Sequence, residues 1–313
     1  MLNQNDRFII VNYHYVEDPK LDWKGIHPCS VKEFAGQVEF LSKNFEIVSV
    51  DRVYDCVQKN SNGKFCAITF DDGLLGQYNN ALPILLKYGA SGTFFPITST
   101  FEGRLPATHK VHVLLSHVSS SDLINIFHEF IKEFYPDLES LYSVPRDKRL
   151  FERRKHEDLL TANFKETMIS LPEDIKGRFL RYCFKMMKLD EKKISVEIFM
   201  SKKDIINMHQ KGMCIGSHSH GHYSMTTADV EFLKKDIQLS KNILSDLLNE
   251  EIDIFSYSHG HYTGQGVEVL KNMGFKYAVT IEPRSVTKED NSFLLPRYDA
   301  NDIRDFINKT SDV

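Results

Sequence analysis

Cysteine is scarce in this chain, and so are long apolar runs. The five cysteines in 313 residues include no CxxC pair, which argues against a disulfide framework and favours a reducing compartment. Near the N-terminus, the apolar stretch at residues 8–11 is interrupted by Asn12 and His14. It is too short for the apolar core of a signal peptide or for a membrane span. We therefore expect a cytoplasmic protein without a membrane span.

An excess of positive charge is also lacking. The 39 Lys and Arg residues against 43 Asp and Glu give a formal net charge of -4, so the composition gives no reason to expect a nucleic-acid partner. Hydrophobic residues at 42% and charged residues at 26% are typical of globular proteins and exclude disordered and collagen-like classes. A chain of this length can form one large α/β domain or two modest ones.

Short apolar runs alternate with helical patterns in both the first and the last third of the chain. Runs such as residues 8–13 and 65–70 are typical of buried strands, and the segments between such runs have helical spacing. This alternation predicts an α/β fold with a parallel sheet. Six or more β/α steps without an internal repeat favour a complete or incomplete (β/α) barrel over an open sheet, and catalytic groups of such barrels lie at the carboxyl ends of the strands.

The alternation stops in the middle of the chain. Residues 109–117 and 122–134 have helical patterns, and no clear strand signal accompanies them. We therefore predict that residues 1–100 and 201–313 form the barrel. Residues 101–200 are predicted to form a mainly helical insertion, through which the protein could pair with a copy of itself.

The motif TFDDG, residues 69–73, ends one of the predicted strands. Two adjacent carboxylates at a strand end point in different directions, so one can bind a metal while the other accepts a proton. Asp and Gly are also common turn formers. Taken alone, the motif therefore indicates a turn as readily as a functional site.

Three histidines follow another predicted strand in the motif HSHGH, residues 218–222. Imidazole is costly to bury without partners, so core packing does not explain them, and a polar loop is the plain alternative. His218 and His222 can reach one metal if the segment curls, and with Asp72 they would leave open positions for water and substrate. Such a metal lowers the pKa of its bound water, and Asp71 would act beside it as general base. The two motifs together predict hydrolysis of an amide or ester.

The order TFDDG followed far downstream by HSxxH resembles the polysaccharide deacetylases, also called the NodB-homology domain or carbohydrate esterase family 4. The resemblance covers about residues 5–100 and 201–300. It implies a distorted (β/α) barrel that hydrolyses N-acetyl groups on amino sugars. It also implies that Asp71 is the catalytic base and that Asp72, His218 and His222 are metal ligands.

The third motif of the family is altered in this chain. Its usual form, FRxPYG, is replaced by FSYSHG at residues 255–260, in which the arginine is missing. The Leu-Pro-Arg segment at residues 295–297 resembles one that supplies an arginine in relatives with the weaker motif. This implies that Arg297 orients or charge-pairs Asp71. The altered motif itself implies substrate-binding roles for Tyr257 and His259.

The general acid is implied by the N-terminal part of the chain. Asn12, Tyr13 and His14 resemble the YH motif of the circularly permuted branch of the family, which includes poly-N-acetylglucosamine deacetylases. His14 lies at the end of the first predicted strand and would protonate the leaving amine. His259 and His261, which follow another predicted strand, are the competing candidates for this role.

The resemblance implies that an N-acyl bond of an amino sugar is hydrolysed, but it does not identify the molecule that contains this bond. Because no export signal is evident, we predict an N-acylated amino sugar, with acetyl or another small acyl group such as formyl, that is an intracellular precursor of a surface glycan. One divalent metal is expected; Zn²⁺ suits two nitrogens and one oxygen, and Co²⁺, Ni²⁺, Mn²⁺ and Fe²⁺ remain possible. Hydrolysis of a non-sugar amide and a metal-free binding protein on the same fold are alternative hypotheses.

Overall fold

The computed structural model describes residues 2–3, 5–19, 26–154 and 157–311. The chain forms two compact units. The first contains Met1–Asp18, Pro28–Gly103 and Ser195–Val313, and the second contains Pro19–His27 and Arg104–Ile194. All the candidate site residues named above belong to the first unit.

Parallel strands form the centre of the first unit. The strands are β1 (Phe8–Tyr13), β2 (Glu46–Ile47), β3 (Phe65–Asp72), β4 (Thr93–Pro96), β5 (Cys214–Ile215), β6 (Ile254–Ser256), β7 (Tyr277–Val279) and β8 (Tyr298–Asp299). Six of them form one sheet in the order β5–β4–β3–β1–β8, with β2 paired to β3, and β6 and β7 form a second sheet. Each of these pairings is parallel.

The two sheets are related by single bridges. Ser217, just after β5, makes a parallel bridge to Phe255 of β6, and Val279 of β7 makes another to Leu295, shortly before β8. The prediction of an α/β fold with a parallel sheet is confirmed. Isolated bridges, rather than continuous ladders, join the sheets in the described part of the chain.

The helices follow the strands along the chain. They are α1 (Val31–Asn44), α2 (Val50–Gln58), α3 (Leu82–Lys87), α4 (Ala107–His117), α5 (Ser120–Phe134), α6 (Leu159–Ser170), α7 (Glu173–Met186), α8 (Glu191–Ile198), α9 (Lys202–Gln210), α10 (Val230–Leu248), α11 (Gly264–Asn272) and α12 (Ala300–Ser311). A π-helix, Gln77–Ala81, precedes α3. Across the described residues, none of these helices combines the length and the apolar character needed to cross a membrane.

The register of β1 and β3 brings two candidate residues to one edge of the sheet. Phe8 pairs with Phe65, and the ladder continues in step until Tyr13 pairs with Phe70. All eight residues of β3 are buried, as is typical of a parallel strand covered on both faces. His14 follows β1 directly and Asp71 follows Phe70 within β3, so the two residues lie side by side at the carboxyl edge.

Aromatic rings from β1, β3, β4 and α1 pack together next to this edge of the sheet. The Phe70 ring stacks on Phe94 of β4 with centroids 4.4 Å apart, and it also contacts Tyr13. Phe34 of α1 packs edge-on against Tyr13 at 4.9 Å. The Tyr13 hydroxyl donates to Gln37 Oε1 at 2.6 Å, so its buried polar atom is satisfied. The residues immediately before the site are thus fixed by packing.

The second unit is built mainly from the helices α4 to α7. Its core includes Phe179 of α7, whose ring contacts Phe127 and Phe130 of α5 at centroid distances of 5.1 and 5.3 Å. The helices predicted at residues 109–117 and 122–134 are present as α4 and α5. The helix α6 was not predicted. Eight of its residues are buried, with polar ones among them, so it lacks the single apolar stripe by which an amphipathic helix is recognised.

Candidate metal and catalytic site

The end of β3 turns sharply at two residues with left-handed backbone. Asp72 has φ 75° and Gly73 has φ 76°. A Cβ on Gly73 would lie 2.9 Å from Cα of Pro96, so glycine is required at this position. The turn gives the adjacent carboxylates different partners, because Asp71 binds Arg297 whereas Asp72 faces two histidines.

Asp72, His218 and His222 form a compact group of possible metal ligands. The Asp72 Oδ1 atom lies 3.4 Å from His218 Nε2 and 3.6 Å from His222 Nε2. All three ligand atoms lie within 4.8 Å of one another, and all three residues are buried. Two imidazole nitrogens and one carboxylate oxygen are donors that zinc and related divalent ions accept. The residues therefore fit a single divalent ion.

The tautomer of His218 supports this fit. Its Nδ1 lies 2.8 Å from the carbonyl oxygen of Ser256, and because a carbonyl can only accept, Nδ1 must carry the proton. Nε2 is then the nitrogen without a proton on the side of Asp72, as a ligating histidine requires. Burial lowers the pKa of His218, but the carboxylates of Asp71 and Asp72 raise it above its ordinary value overall. The group thus attracts positive charge.

A buried carboxylate on helix α10 shapes the histidine loop. Asp236 accepts hydrogen bonds from the backbone N–H groups of His220 at 3.0 Å and Gly221 at 2.9 Å. Burial raises the pKa of Asp236, and those two N–H groups offset part of the rise. Within the loop, the N–H of His222 donates to Ser219 Oγ at 3.0 Å. These bonds hold the turn that brings His218 and His222 together.

Asp71 is paired with Arg297 through two parallel hydrogen bonds. Arg297 Nη1 donates to Asp71 Oδ1 at 2.9 Å, and Nη2 donates to Oδ2 at 2.8 Å. Asn12 Nδ2 also donates to Oδ2, at 3.0 Å. Burial alone would raise the pKa of Asp71, but Arg297, with smaller contributions from His218 and His14, holds that pKa well below its ordinary value. Asp71 is therefore ionised, with its orientation fixed.

The Arg297 side chain is fully buried and binds groups from several strands. Its Nε donates to the Thr280 carbonyl at 2.7 Å, beyond the end of β7. Nη1 also donates to Asn12 Oδ1 on β1, and Nη2 donates to Ser256 Oγ on β6. The predicted pairing with Asp71 is present in the structure, and the same side chain connects the two sheets.

His14 stands beside this pair at the carboxyl edge. Its Nε2 lies 4.0 Å from Asp71 Oδ2, and its side chain is 43% exposed, whereas that of Asp71 is 3% exposed. His14 can therefore exchange protons with solvent while facing a buried carboxylate.

The remaining candidates are His259 and His261, which lie near His222, and Tyr257, which is buried. The ring of His259 packs against His222 with centroids 4.6 Å apart, and His261 lies 6.0 Å beyond His259. Tyr257 is fully buried, and its hydroxyl donates to the Phe293 carbonyl at 3.0 Å. The structure thus brings His259 to the ligand group but directs the Tyr257 hydroxyl into the core.

Three site residues were not singled out from the sequence. Asn12 lies two positions before His14, and residues two apart on a strand share a face, so the spacing could have indicated it. Ser256 stands at the position of the missing arginine in the altered motif FSYSHG, so the family resemblance could have indicated it. Asp236 has no comparable signal, because it reaches the site from α10 and only the fold brings it there.

One family model and several solved structures are similar to this chain. The family model described as polysaccharide deacetylase matches residues 58–118 and 183–278, half of the chain. The solved structure of the deacetylase PplD from Streptococcus pyogenes in complex with acetate is similar, with 16% identity, a TM-score of 0.59, and coverage of 94% of this chain and 92% of that one. No curated protein sequence matched.

Two further solved structures have the same fold. IcaB from Ammonifex degensii is 17% identical, with a TM-score of 0.58 over 94% of this chain and 92% of that one. A de-N-acetylase from Aggregatibacter actinomycetemcomitans is 14% identical, with a TM-score of 0.55 over 96% of this chain and 100% of that one. At these identities the likeness establishes the fold, the NodB type of α/β architecture.

We expect Asp236→Asn to weaken the binding of a divalent ion at Asp72, His218 and His222 about 10–100-fold. The amide would turn one acceptor oxygen into a donor that faces a backbone N–H. Calorimetric titration with Zn²⁺ measures the affinity. Asp246→Asn, at an exposed position of the same helix α10, is the matched control. Equal affinities of the unaltered chain and the Asp236 variant would contradict this assignment.

We expect Arg297→Met to lower the free energy of unfolding by about 3–5 kcal/mol, because a buried carboxylate loses its cation. The double variant Asp71→Asn/Arg297→Met should lose less than the sum of the single changes. Urea unfolding followed by circular dichroism measures these values. Arg284→Met, which removes a partly exposed pair with Asp290, should cost about 1 kcal/mol or less. Additive losses at Asp71 and Arg297 would refute their coupling.

Proposed function

Because the chain belongs to the polysaccharide deacetylase family, we propose that it uses a divalent metal ion to hydrolyse the N-acetyl group, or another small N-acyl group such as formyl, of an amino sugar. The observation that carries the proposal is the buried group of Asp72, His218 and His222, whose ligand atoms lie within 4.8 Å of one another. Asp71, ionised and oriented by Arg297, lies directly beside it.

Asp72, His218 and His222 would hold the ion. Zn²⁺ is the first candidate, and Co²⁺, Ni²⁺, Mn²⁺ and Fe²⁺ suit the same donors. When bound, such an ion polarises a carbonyl oxygen and makes water more acidic. The hydrogen bond from His218 to the Ser256 carbonyl would keep the ligating ring in one orientation.

Asp71 would act as the general base that takes a proton from the attacking water. Arg297 holds the pKa of Asp71 well below its ordinary value, so the carboxylate is fully available as an acceptor, and it holds the proton only briefly. Asp71 Oδ1 accepts from Arg297 alone among the described hydrogen bonds, whereas Oδ2 accepts from both Arg297 and Asn12. Since a carboxylate oxygen has two lone pairs, Oδ1 is the better placed to bind the water.

His14 would act as the general acid that protonates the leaving amine. It lies 4.0 Å from Asp71, and its partial exposure lets it regain a proton from solvent after each turnover. His259, whose ring packs on His222, would contact the bound sugar. For Tyr257 we propose an indirect role, since its ring and hydroxyl support the chain that carries His259.

The first experiment asks which molecule is hydrolysed. Purified chain with Zn²⁺ is incubated with N-acetylglucosamine oligomers, with UDP- and dTDP-linked N-acyl sugars, and with small formamides and cyclic ureides. Loss of the acyl group from each is followed by mass spectrometry, with Asp72→Asn as the matched inactive control. Deacylation of the nucleotide-linked sugars supports an intracellular precursor as substrate. Action only on polymer would refute that precursor, and action only on the small amides would refute the sugar.

We expect metal removal to abolish the activity. Dialysis against a chelator should eliminate acyl release, and added Zn²⁺ should restore it, because the carbonyl of the amide is no longer polarised without the ion. Elemental analysis gives the metal content in parallel. Full activity of a metal-free preparation would contradict the proposal. A purified chain that contains no metal and whose stability towards unfolding is the same with and without chelator would contradict it as well.

We expect the acid role to belong to His14. His14→Ala should lower kcat about 10²–10⁴-fold without changing the metal content, because the leaving amine loses its proton donor. His259→Ala should mainly raise KM. Steady-state rates of acyl release on the best substrate measure both. A large kcat loss at His259 with a normal His14 variant would assign the acid to His259 instead.

A further inference from the structure

The segment that carries His14 lies beyond the sheet ladder. The pairing of β1 with β3 ends at Tyr13 and Phe70, and backbone hydrogen bonds then join Tyr15 and Glu17 to Cys29. Two side-chain amides of the π-helix bind the same segment from another element. Gln77 Nε2 donates to the His14 carbonyl at 3.0 Å, and Asn80 Nδ2 donates to the Val16 carbonyl at 2.8 Å.

The spacing of these two contacts follows from simple geometry. Carbonyl groups two residues apart on an extended chain point to the same side, so side chains from one helical turn packed beside the segment can reach both. The turn also approaches the segment closely, because a Cβ on Gly76 would lie 2.7 Å from the Val16 carbonyl oxygen. Glycine at this position permits the approach that both amides need.

Gln77 also binds β3, the strand that carries Asp71. Its Nε2 donates to the Asp71 carbonyl at 2.6 Å as well as to that of His14. Both hydrogens of one amide nitrogen are thus used, and the side chain is completely buried. A single group therefore joins the backbones of the two residues whose side chains lie 4.0 Å apart at the edge of the site.

We infer that Gln77 and Asn80 are positioning residues that set the place of His14 relative to Asp71. The inference rests on the proposed function, in which these two residues are the acid and the base. Gln77 and Asn80 both belong to the π-helix, and wide single turns of this kind are frequent at functional sites. A displacement of a reacting group by about 1 Å costs about 10²-fold in rate, so the two amides matter for chemistry as well as for folding.

The test uses Asn80→Ala as the main variant, because Asn80 is only half-buried and its loss should leave the chain folded. Asn79→Ala, at an exposed position on the same turn, is the matched control. Gln77→Met serves as a second variant where it folds. Hydrogen exchange measured by mass spectrometry on peptides covering residues 12–18 reports whether the segment is held. We expect exchange there to rise about tenfold or more in the Asn80 variant and to stay unchanged in the control.

Kinetics then separate positioning from a purely structural role. Asn80→Ala should lower kcat about 10–100-fold with little change in KM or metal content. In a His14→Ala background it should have almost no further effect, because there is no acid left to position. Unchanged exchange would overturn the inference, and so would equal kcat losses in the two backgrounds. Absence of deacylation by the unaltered chain would refute the proposed function, while the exchange measurement alone would still decide whether the amides hold the segment.

Discussion

The guanidinium of Arg297 is fully buried, and it is stable there because a carboxylate and four other oxygen atoms surround it. Removing two charges from water is costly, and only good geometry with further hydrogen bonds offsets that cost. Asp71 supplies the opposite charge, and Asn12 and Ser256 complete the cage. These partners come from β1, β3 and β6, so one ion pair aligns the strand ends on which the site is built.

Backbone strain is concentrated at the same place. Among the described residues, seven non-glycine residues have positive φ, and four of them are Asp72, Ser219, His222 and His259. Each such conformation costs about 1–3 kcal/mol and persists only where surrounding contacts enforce it. Asp236 and the hydroxyl of Ser219 provide those contacts for the histidine loop. The loop is thus held in the form that lets two histidines face one carboxylate.

The sequence was informative where chemistry is local and uninformative where it depends on the fold. TFDDG ends one strand and HSHGH follows another, so their place at a carboxyl edge could be predicted from periodicity alone. The pairing of Arg297 with Asp71 came from family resemblance, because 226 residues separate them. Asp236 could not be predicted, since a carboxylate on a helix carries no sign of which loop it will cap. The strand β8 has only two residues, too few to show a period.

The wide separation of Arg297 from its partners has a consequence for the order in which the molecule becomes structured. Asn12 is 285 residues away from it, and contacts between such distant residues form late because the entropy of closing the loop opposes them. On the ribosome, both motif carboxylates emerge long before the cation that stabilises one of them. A nascent chain therefore contains both sequence motifs well before Arg297 can pair with Asp71.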